Sequence, residues 1–120
     1  MKSLKSTLLE SNNTFETSPE GKIVVYSKKE LNKAIDQMWS KFGNDCNLNN
    51  IDTSHITDMS RLFADCFFHG DISEWDVSNV TNMSRMFDGN SKFNGDLSKW
   101  DTSKVKNMSF MFSYTKFNGD

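Results

Sequence analysis

The residues of this chain best suited to chemistry are two cysteines and two histidines. Cys66 and His69 stand three positions apart, while Cys46 and His55 lie upstream. A structural zinc site needs four such ligands around one ion, usually supplied as closely spaced pairs. Only Cys66 and His69 form such a pair, so the spacing favours side chains that fill turn positions over a zinc site.

Cys66 is also the best candidate for a nucleophile. A cysteine nucleophile needs a base beside it and a pocket that stabilises an oxyanion. Cys66 stands among aromatic residues that should lie in the core, which favours a buried, inert thiol. No Ser/His/Asp arrangement, glycine-rich phosphate loop or pair of catalytic carboxylates is visible in the sequence. We therefore predict a protein that is not an enzyme and that uses no cofactor.

A repeat of 24 or 25 residues must position these side chains. Trp75 recurs as Trp100, and Phe87 recurs as Phe112, each 25 residues later. A fixed period in this range is typical of proteins in which each unit buries its apolar face against its neighbours. The copies are Leu48–Asp71, Ile72–Asp96 and Leu97–Asp120.

Each copy is predicted to contain a short strand followed by a short helix. In the second copy the strand runs from Ile72 to Val77, because its apolar residues end in alternation. The helix covers residues 80–87, because Val80, Met83 and Phe87 recur at intervals of three and four. The tryptophans could stack on a ligand, but their place in the repeat favours the core.

The chain before the repeats divides into two parts. Residues 1–20 are polar and predict a flexible or docking tail. Residues 21–46 predict a strand–helix cap, with the strand over residues 22–26 and the helix over residues 28–42. Ser27 and Glu30 fit a capping box at the helix start, and Gly43 stands where a glycine commonly ends a helix.

The string Trp75-Asp76-Val77-Ser78-Asn79-Val80-Thr81-Asn82-Met83, followed by Met86-Phe87, resembles the BspA-like leucine-rich repeats of mycoplasma and Bacteroides surface proteins. The resemblance covers residues 47–120. It implies an α/β fold: a short leucine-rich-repeat-like solenoid with parallel strands and short helices. It also implies a role in binding or adhesion, without catalysis.

The register of the repeat stacks acidic residues into columns. Like charges directly opposite each other are destabilising, so we expect each carboxylate to accept backbone N–H groups within its own turn. Calcium bridging is the alternative, since stacked turn carboxylates bind Ca²⁺ in some repeat proteins. The first column contains Asp52, Asp76 and Asp101, and the second contains Asp71, Asp96 and Asp120.

These observations predict a non-enzymatic protein-interaction module, with an accessory role in adhesion or host interaction as one possibility. The alternative is a structural or cargo component of a larger assembly such as a phage particle. The expected contact surface consists of solvent-facing strand positions: Asn49, Asn50, Asp52, Ser73, Glu74, Asp76, Ser98, Lys99 and Asp101.

Charge and hydropathy restrict the partners. The net charge of −2 and the absence of a clustered basic face argue against nucleic acid. No apolar run is long enough to span a membrane. Without a secretory signal, we expect a cytoplasmic or virion-associated protein with reduced cysteines rather than a cell-surface protein. The strand edge predicted near Leu97–Thr102 has no following copy, so self-association through this edge is a further expectation.

Overall fold

A computed structural model describes residues 15–115 and Phe117. Its regular elements are strand β1 (Glu16–Thr17), strand β2 (Ile23–Val24), helix α1 (Lys28–Phe42) and strand β3 (Ile51–Asp52). The strands form one mixed sheet in the order β1-β2-β3. β1 pairs with β2 in antiparallel fashion, and β2 pairs with β3 in parallel fashion.

The predicted leucine-rich-repeat-like solenoid is wrong. Within the described residues, regular structure is limited to one helix and one small mixed sheet, and the chain forms a compact globule of 45 × 29 × 21 Å. The predicted strand Ile72–Val77 and the predicted helix over residues 80–87 are replaced by successive turns. Isolated β-bridges, such as the one between Asn82 and Asn107, join neighbouring copies there.

Helix α1 begins and ends where the sequence predicts. Ser27 Oγ accepts a hydrogen bond from Glu30 N at 3.2 Å. Glu30 Oε1 accepts the N–H of Tyr26 at 2.7 Å, one residue further back than in a standard capping box. Gly43 adopts φ 92, and its N–H donates to Trp39 O. Glycine reaches this left-handed region without a Cβ clash, which explains the end of the helix.

The sheet extends into the segment predicted as a tail. β1 lies within residues 1–20, and its residue Glu16 pairs with Val24 of β2. The predicted strand over residues 22–26 is shorter than expected, because only Ile23–Val24 is strand. Residues 1–14 of the predicted tail lie outside the described residues, as does Asp120 of the second aspartate column. We call β1, β2 and α1 together the N-terminal unit.

The backbone of the repeats bonds across copies instead of along a helix. A helix joins each N–H to the carbonyl four residues earlier. Here Met83 N donates to Asn107 O at 2.8 Å, and Phe87 N donates to Met111 O at 2.9 Å, both in the next copy. The first copy is bonded to the second in the same way. The N–H groups of Met59, Arg61, Phe63 and Asp65 donate to the carbonyl oxygens of Asn82, Ser84, Met86 and Asp88, respectively.

The residues between these donors form tight turns with unusual backbone angles. Met86 N bonds to Met83 O at 3.2 Å, and Asn90 N bonds to Phe87 O at 2.9 Å. The third residue of each turn has positive φ: 55 at Arg85 and 77 at Gly89. Two such turns in succession reproduce the intervals of three and four that predicted a helix. The equivalent positive-φ residues of the other copies are Arg61, Asp65, Phe110 and Tyr114.

Two columns of phenylalanine rings form the centre of the core. The first contains Phe63, Phe87 and Phe112, with centroids 5.7 and 5.4 Å apart. Each copy also contributes one ring to a second column. The two rings that the second copy contributes, Phe87 and Phe93, lie 4.4 Å apart. Near-parallel rings at these distances attract each other beyond the effect of area burial. The second column contains Phe68, Phe93 and Phe117.

Polar groups inside this core are bonded. Asn90 is fully buried, and its Nδ2 donates to Phe63 O at 3.3 Å and to Phe68 O at 3.1 Å. Its Oδ1 accepts the N–H of Phe93 at 3.0 Å. Trp75 is 3% exposed, and its Nε1 donates to Leu48 O at 2.8 Å, which confirms that this indole belongs to the core. Bonds of this kind tie the second copy to the first.

We expect Phe87→Ala to be severely destabilising. The Phe87 ring is fully buried and stacks on Phe63, Phe93 and Phe112. Large-to-small changes at such sites cost about 3 to 5 kcal/mol. Chemical denaturation monitored by tryptophan fluorescence measures the loss.

Val77→Thr is the matched control, because Thr53 occupies the same position in the first copy. Thr53 is buried, and its Oγ1 donates to Asp76 O at 2.9 Å. The introduced hydroxyl should find the equivalent acceptor in the third copy, so we expect a small effect. Equal losses in the two variants would contradict the ring columns as the centre of the core.

Candidate protein-binding face

The predicted contact residues lie mostly in turns and not in strands. Only Asp52 belongs to a strand, β3. Trp75 N donates to Ile72 O at 3.2 Å, which closes a turn that contains Ser73 and Glu74. Trp100 N donates to Leu97 O at 3.1 Å and closes the equivalent turn of the third copy. All of the predicted residues are exposed or partly exposed. We call this set the turn face: Asn49, Asn50, Asp52, Ser73, Glu74, Asp76, Ser98, Lys99 and Asp101.

The aspartates of the turn face accept hydrogen bonds from their own turns, as predicted. Asp76 Oδ1 accepts the N–H of Ser78 at 3.0 Å and its hydroxyl at 2.6 Å. This Asx-turn arrangement fixes the chain direction at each corner. Equivalent bonds to the N–H two residues later occur at Asn47, Asp52, Asp58, Asp71, Asn82, Asp96, Asp101 and Asn107.

For Asp52, Asp71 and Asp101, these bonds stabilise the charged form of the carboxyl. The N–H and hydroxyl of Ser73 lower the pKa of Asp71. The hydroxyl and N–H of Ser103 do the same for the pKa of Asp101. Partial burial raises the pKa of Asp52, but hydrogen bonds from Ser54 outweigh it and leave a lowered value. Asp52, Asp71 and Asp101 are therefore ionised at neutral pH, with oxygens already used by their own turns.

Side chains on the turn face also bond from copy to copy. Asn49 Oδ1 accepts the N–H of Glu74 at 2.9 Å, and Lys99 Nζ donates to Glu74 Oε2 at 2.5 Å. Exposed ion pairs contribute little to stability, so the main consequence is a fixed position of Glu74. Three copies thus present one row of polar groups.

A second row of polar groups lies beside the first and is not among the predicted contact residues. Asn79 Nδ2 donates to Ser54 O at 2.8 Å, and Lys104 Nζ donates to Asn79 Oδ1 at 3.0 Å. Asn79 and Lys104 are 25 residues apart, so the repeat register itself carried the signal. Ser54, Asn79 and Lys104 lie in the next turn along each copy, so this second row borders the turn face.

The thiols are held in unreactive environments. Burial raises the pKa of Cys46 and of Cys66. Cys66 Sγ donates to Phe63 O at 3.1 Å, as Thr115 Oγ1 donates to Phe112 O at 2.8 Å in the third copy. A raised pKa leaves little thiolate at neutral pH, which disfavours nucleophilic chemistry. Cys66 and Thr115 thus fill equivalent turn positions of the first and third copies, as predicted.

The histidines have local partners. His55 stacks on Tyr26 with ring centroids 4.7 Å apart, and His69 Nδ1 lies 3.0 Å from the carbonyl oxygen of Phe67. Within residues 15–115 and Phe117, no group of three or more His, Cys, Asp or Glu side chains is arranged to hold a metal ion. The same part of the chain includes no helix with the length and apolar character needed to cross a membrane.

A groove of about 810 Å³ lies against the N-terminal unit, and no turn-face residue lines it. Phe15, Ile23, Met38 and Phe42 supply its apolar lining. Phe42 ends α1 and is 57% exposed. The groove contains none of the side chains considered above for catalysis or metal binding.

We expect Asp71→Asn to flatten the acid dependence of stability. A carboxyl whose folded pKa is lowered stabilises the fold above its unfolded pKa of about 3.9, and the contribution is lost as pH falls through the folded pKa. Asparagine keeps the acceptor oxygen, as Asn47 does in the equivalent turn. Urea denaturation between neutral pH and pH values below the unfolded pKa measures the difference. Asp36→Asn on the exposed side of α1 is the control, and identical pH profiles for wild type and Asp71→Asn would contradict the turn-bond explanation.

Comparison with known proteins gives one family relationship. No curated protein and no solved structure matches the chain. The profile of the family described as "Mycoplasma protein of unknown function, DUF285" matches residues 29–120. This range covers most of the chain, including α1 except its first residue, and all three copies of the repeat. The chain belongs to this Mycoplasma family.

Proposed function

We propose that this protein is a non-enzymatic protein-interaction module that contacts its partner through the turn face. The observation that carries the proposal is the fixed register of polar groups across three copies. Asn49 holds the backbone of Glu74, and Glu74 holds the side chain of Lys99. A surface that is already ordered loses less conformational entropy when a partner binds, which favours affinity.

The chemistry of the turn face supports binding over catalysis. Asp52 and Asp101 accept hydrogen bonds from their own turns, and these bonds lower the pKa of both carboxyls. Carboxylates of this kind are poor proton donors at neutral pH, whereas a general acid or base works best with a pKa near the operating pH. Ionised side chains on a rigid surface instead favour a partner with complementary charges.

The size of the turn face limits what it contacts. Neighbouring extended segments in a sheet lie about 4.8 Å apart, so three copies span on the order of 10 to 15 Å. This width suits a peptide or a single loop of a partner protein. The resemblance of the repeat motif to BspA-like surface repeats favours an accessory role in adhesion or host interaction.

A charge swap tests this proposal. The double variant Glu74→Lys with Lys99→Glu keeps the ion pair but inverts both charges on the turn face. A photo-crosslinking residue at Asn50, an exposed member of the turn face, reports contact in the cells that express the chain. We expect a discrete cross-linked species with the otherwise unchanged protein and a yield lower by about tenfold with the swap.

The control carries the same kind of swap on α1, Lys29→Glu with Asp36→Lys, where both residues are exposed. It should leave the cross-linking yield unchanged. A turn-face swap without effect, or no cross-linked species with either protein, would overturn the proposal.

A further inference from the structure

An asparagine followed by a glycine lies in an exposed, irregular segment of the second copy. Asn94 is exposed, and neither Asn94 nor Gly95 belongs to a helix, strand or turn. The side-chain amide of asparagine is thermolabile, because the backbone nitrogen of the next residue can attack it. Glycine obstructs this attack least, because it has no Cβ. Within residues 15–115, Asn94 is the one asparagine that precedes a glycine.

The fold leaves the attacking nitrogen free. In the first copy, His69 N donates to Asn44 O at 2.8 Å and Asp71 N donates to Cys46 O at 3.2 Å. The N–H of Gly70, which lies between His69 and Asp71, has no acceptor among the described residues. Gly95 occupies the equivalent place in the second copy, where a Cβ would lie 3.7 Å from Gly70 O. The N–H of Gly95 likewise has no acceptor in the described part of the chain.

The pair Asp88–Gly89 provides a contrast a few residues earlier. Aspartate followed by glycine undergoes the same kind of ring closure, with loss of water instead of ammonia. Here Gly89 N donates to Ser113 O at 2.8 Å, and Asp88 Oδ2 accepts a hydrogen bond from Arg85 Nη1 at 2.7 Å. Both bonds must break before the nitrogen reaches the carboxyl carbon. The fold therefore protects this pair.

Other asparagines of the repeats are held by their own hydrogen bonds. Asn82 Oδ1 accepts the N–H of Ser84 at 2.9 Å, and the bulky Met83 follows it. Asn90 is fully buried, and its Oδ1 accepts the N–H of Phe93 at 3.0 Å. These side chains cannot turn toward the next backbone nitrogen without losing their bonds. Exposure, a following glycine and a free nitrogen thus come together at Asn94.

We propose that Asn94 is a site of spontaneous deamidation, a modification that adds one negative charge to the second copy. The Gly95 nitrogen forms a bond to Asn94 Cγ, and the bond from Cγ to Nδ2 breaks. Ammonia leaves with the proton that the Gly95 nitrogen loses, and a five-membered succinimide remains. Water then opens the ring at either carbonyl, which gives aspartate or isoaspartate at position 94. This reaction is independent of binding through the turn face.

The isoaspartate product affects the core beneath this segment. Ring atoms of Phe93 lie 2.9 Å from the position of a Cβ on Gly95, so the backbone passes close to the ring. Isoaspartate adds one carbon to the backbone beside this contact. Phe93 is 1% exposed and stacks on Phe87 at 4.4 Å, within the ring columns. We therefore expect deamidation to lower the stability of the repeats.

Mass spectrometry of the aged protein tests the proposal. The full chain is incubated at mildly alkaline pH and digested with trypsin, and a portion digested without incubation gives the background. The peptide of residues 93–99 contains Asn94 as its only asparagine, and we expect it to gain about 1 Da and to separate into two products. The peptide of residues 86–92, which contains Asp88–Gly89 and Asn90, should keep its mass and its retention time.

A synthetic peptide of residues 93–99 is aged in parallel to show that the conditions permit the reaction. An unchanged mass at Asn94 in the folded chain, under conditions that deamidate the synthetic peptide, overturns the proposal. Equal deamidation of Asn90 and Asn94 in the folded chain would contradict the role assigned to the fold.

Asn94→His is the matched variant, because His69 occupies this place in the first copy. It removes the amide and keeps a side chain that the repeat already accepts. Urea denaturation of fresh and aged samples should show a loss of stability in the wild type and none in Asn94→His. An equal loss in both proteins, or deamidation of the wild type without any loss, would overturn the link between Asn94 and the ring columns.

Discussion

Backbone hydrogen bonding between copies is the constraint on which the rest of this structure depends. The turns of each copy leave alternate N–H groups without a partner inside that copy. A buried N–H without an acceptor costs about 1 to 3 kcal/mol, so the next copy must supply carbonyls in register. Met83 and Phe87 satisfy this requirement with Asn107 and Met111. The spacing of 24 or 25 residues in the sequence follows from this pairing.

The side-chain core follows from the same register. Once the backbones of two copies are aligned, Phe87 lies over Phe63 and Phe93 lies over Phe68. Asn90 then reaches back to two carbonyls of the first copy, which no apolar residue could satisfy. A buried amide with complete hydrogen bonding makes a shifted register unfavourable, because its partners would be lost. The ring columns supply the apolar burial, and Asn90 specifies their alignment.

Prediction from the sequence succeeded where a local signal had one physical meaning. The ends of α1 follow from Ser27, Glu30 and Gly43, whose capping roles require only neighbouring backbone groups. The positions of the buried residues Trp75 and Phe87 follow from the period of the repeat.

The conformation of the repeats could not be predicted in the same way. Intervals of three and four between Met83, Met86 and Phe87 fit one helical face, and they fit two consecutive tight turns equally well. The difference lies in the positive φ of Arg85, which apolar spacing does not encode. The same ambiguity affected the turn face: its residues are accessible, but Ser73 and Glu74 lie in a turn and not in a strand. Their side-chain bonds to other copies depend on this tertiary register.

Amide hydrogen exchange measured by NMR on the free chain tests most directly whether bonding between copies holds the repeats. Met83, Arg85, Phe87 and Gly89 should exchange slowly, with similar free energies of opening, because all four donate to the third copy. Exchange of these four amides near the unprotected rate, or free energies of opening that differ widely among them, would contradict this explanation of the fold.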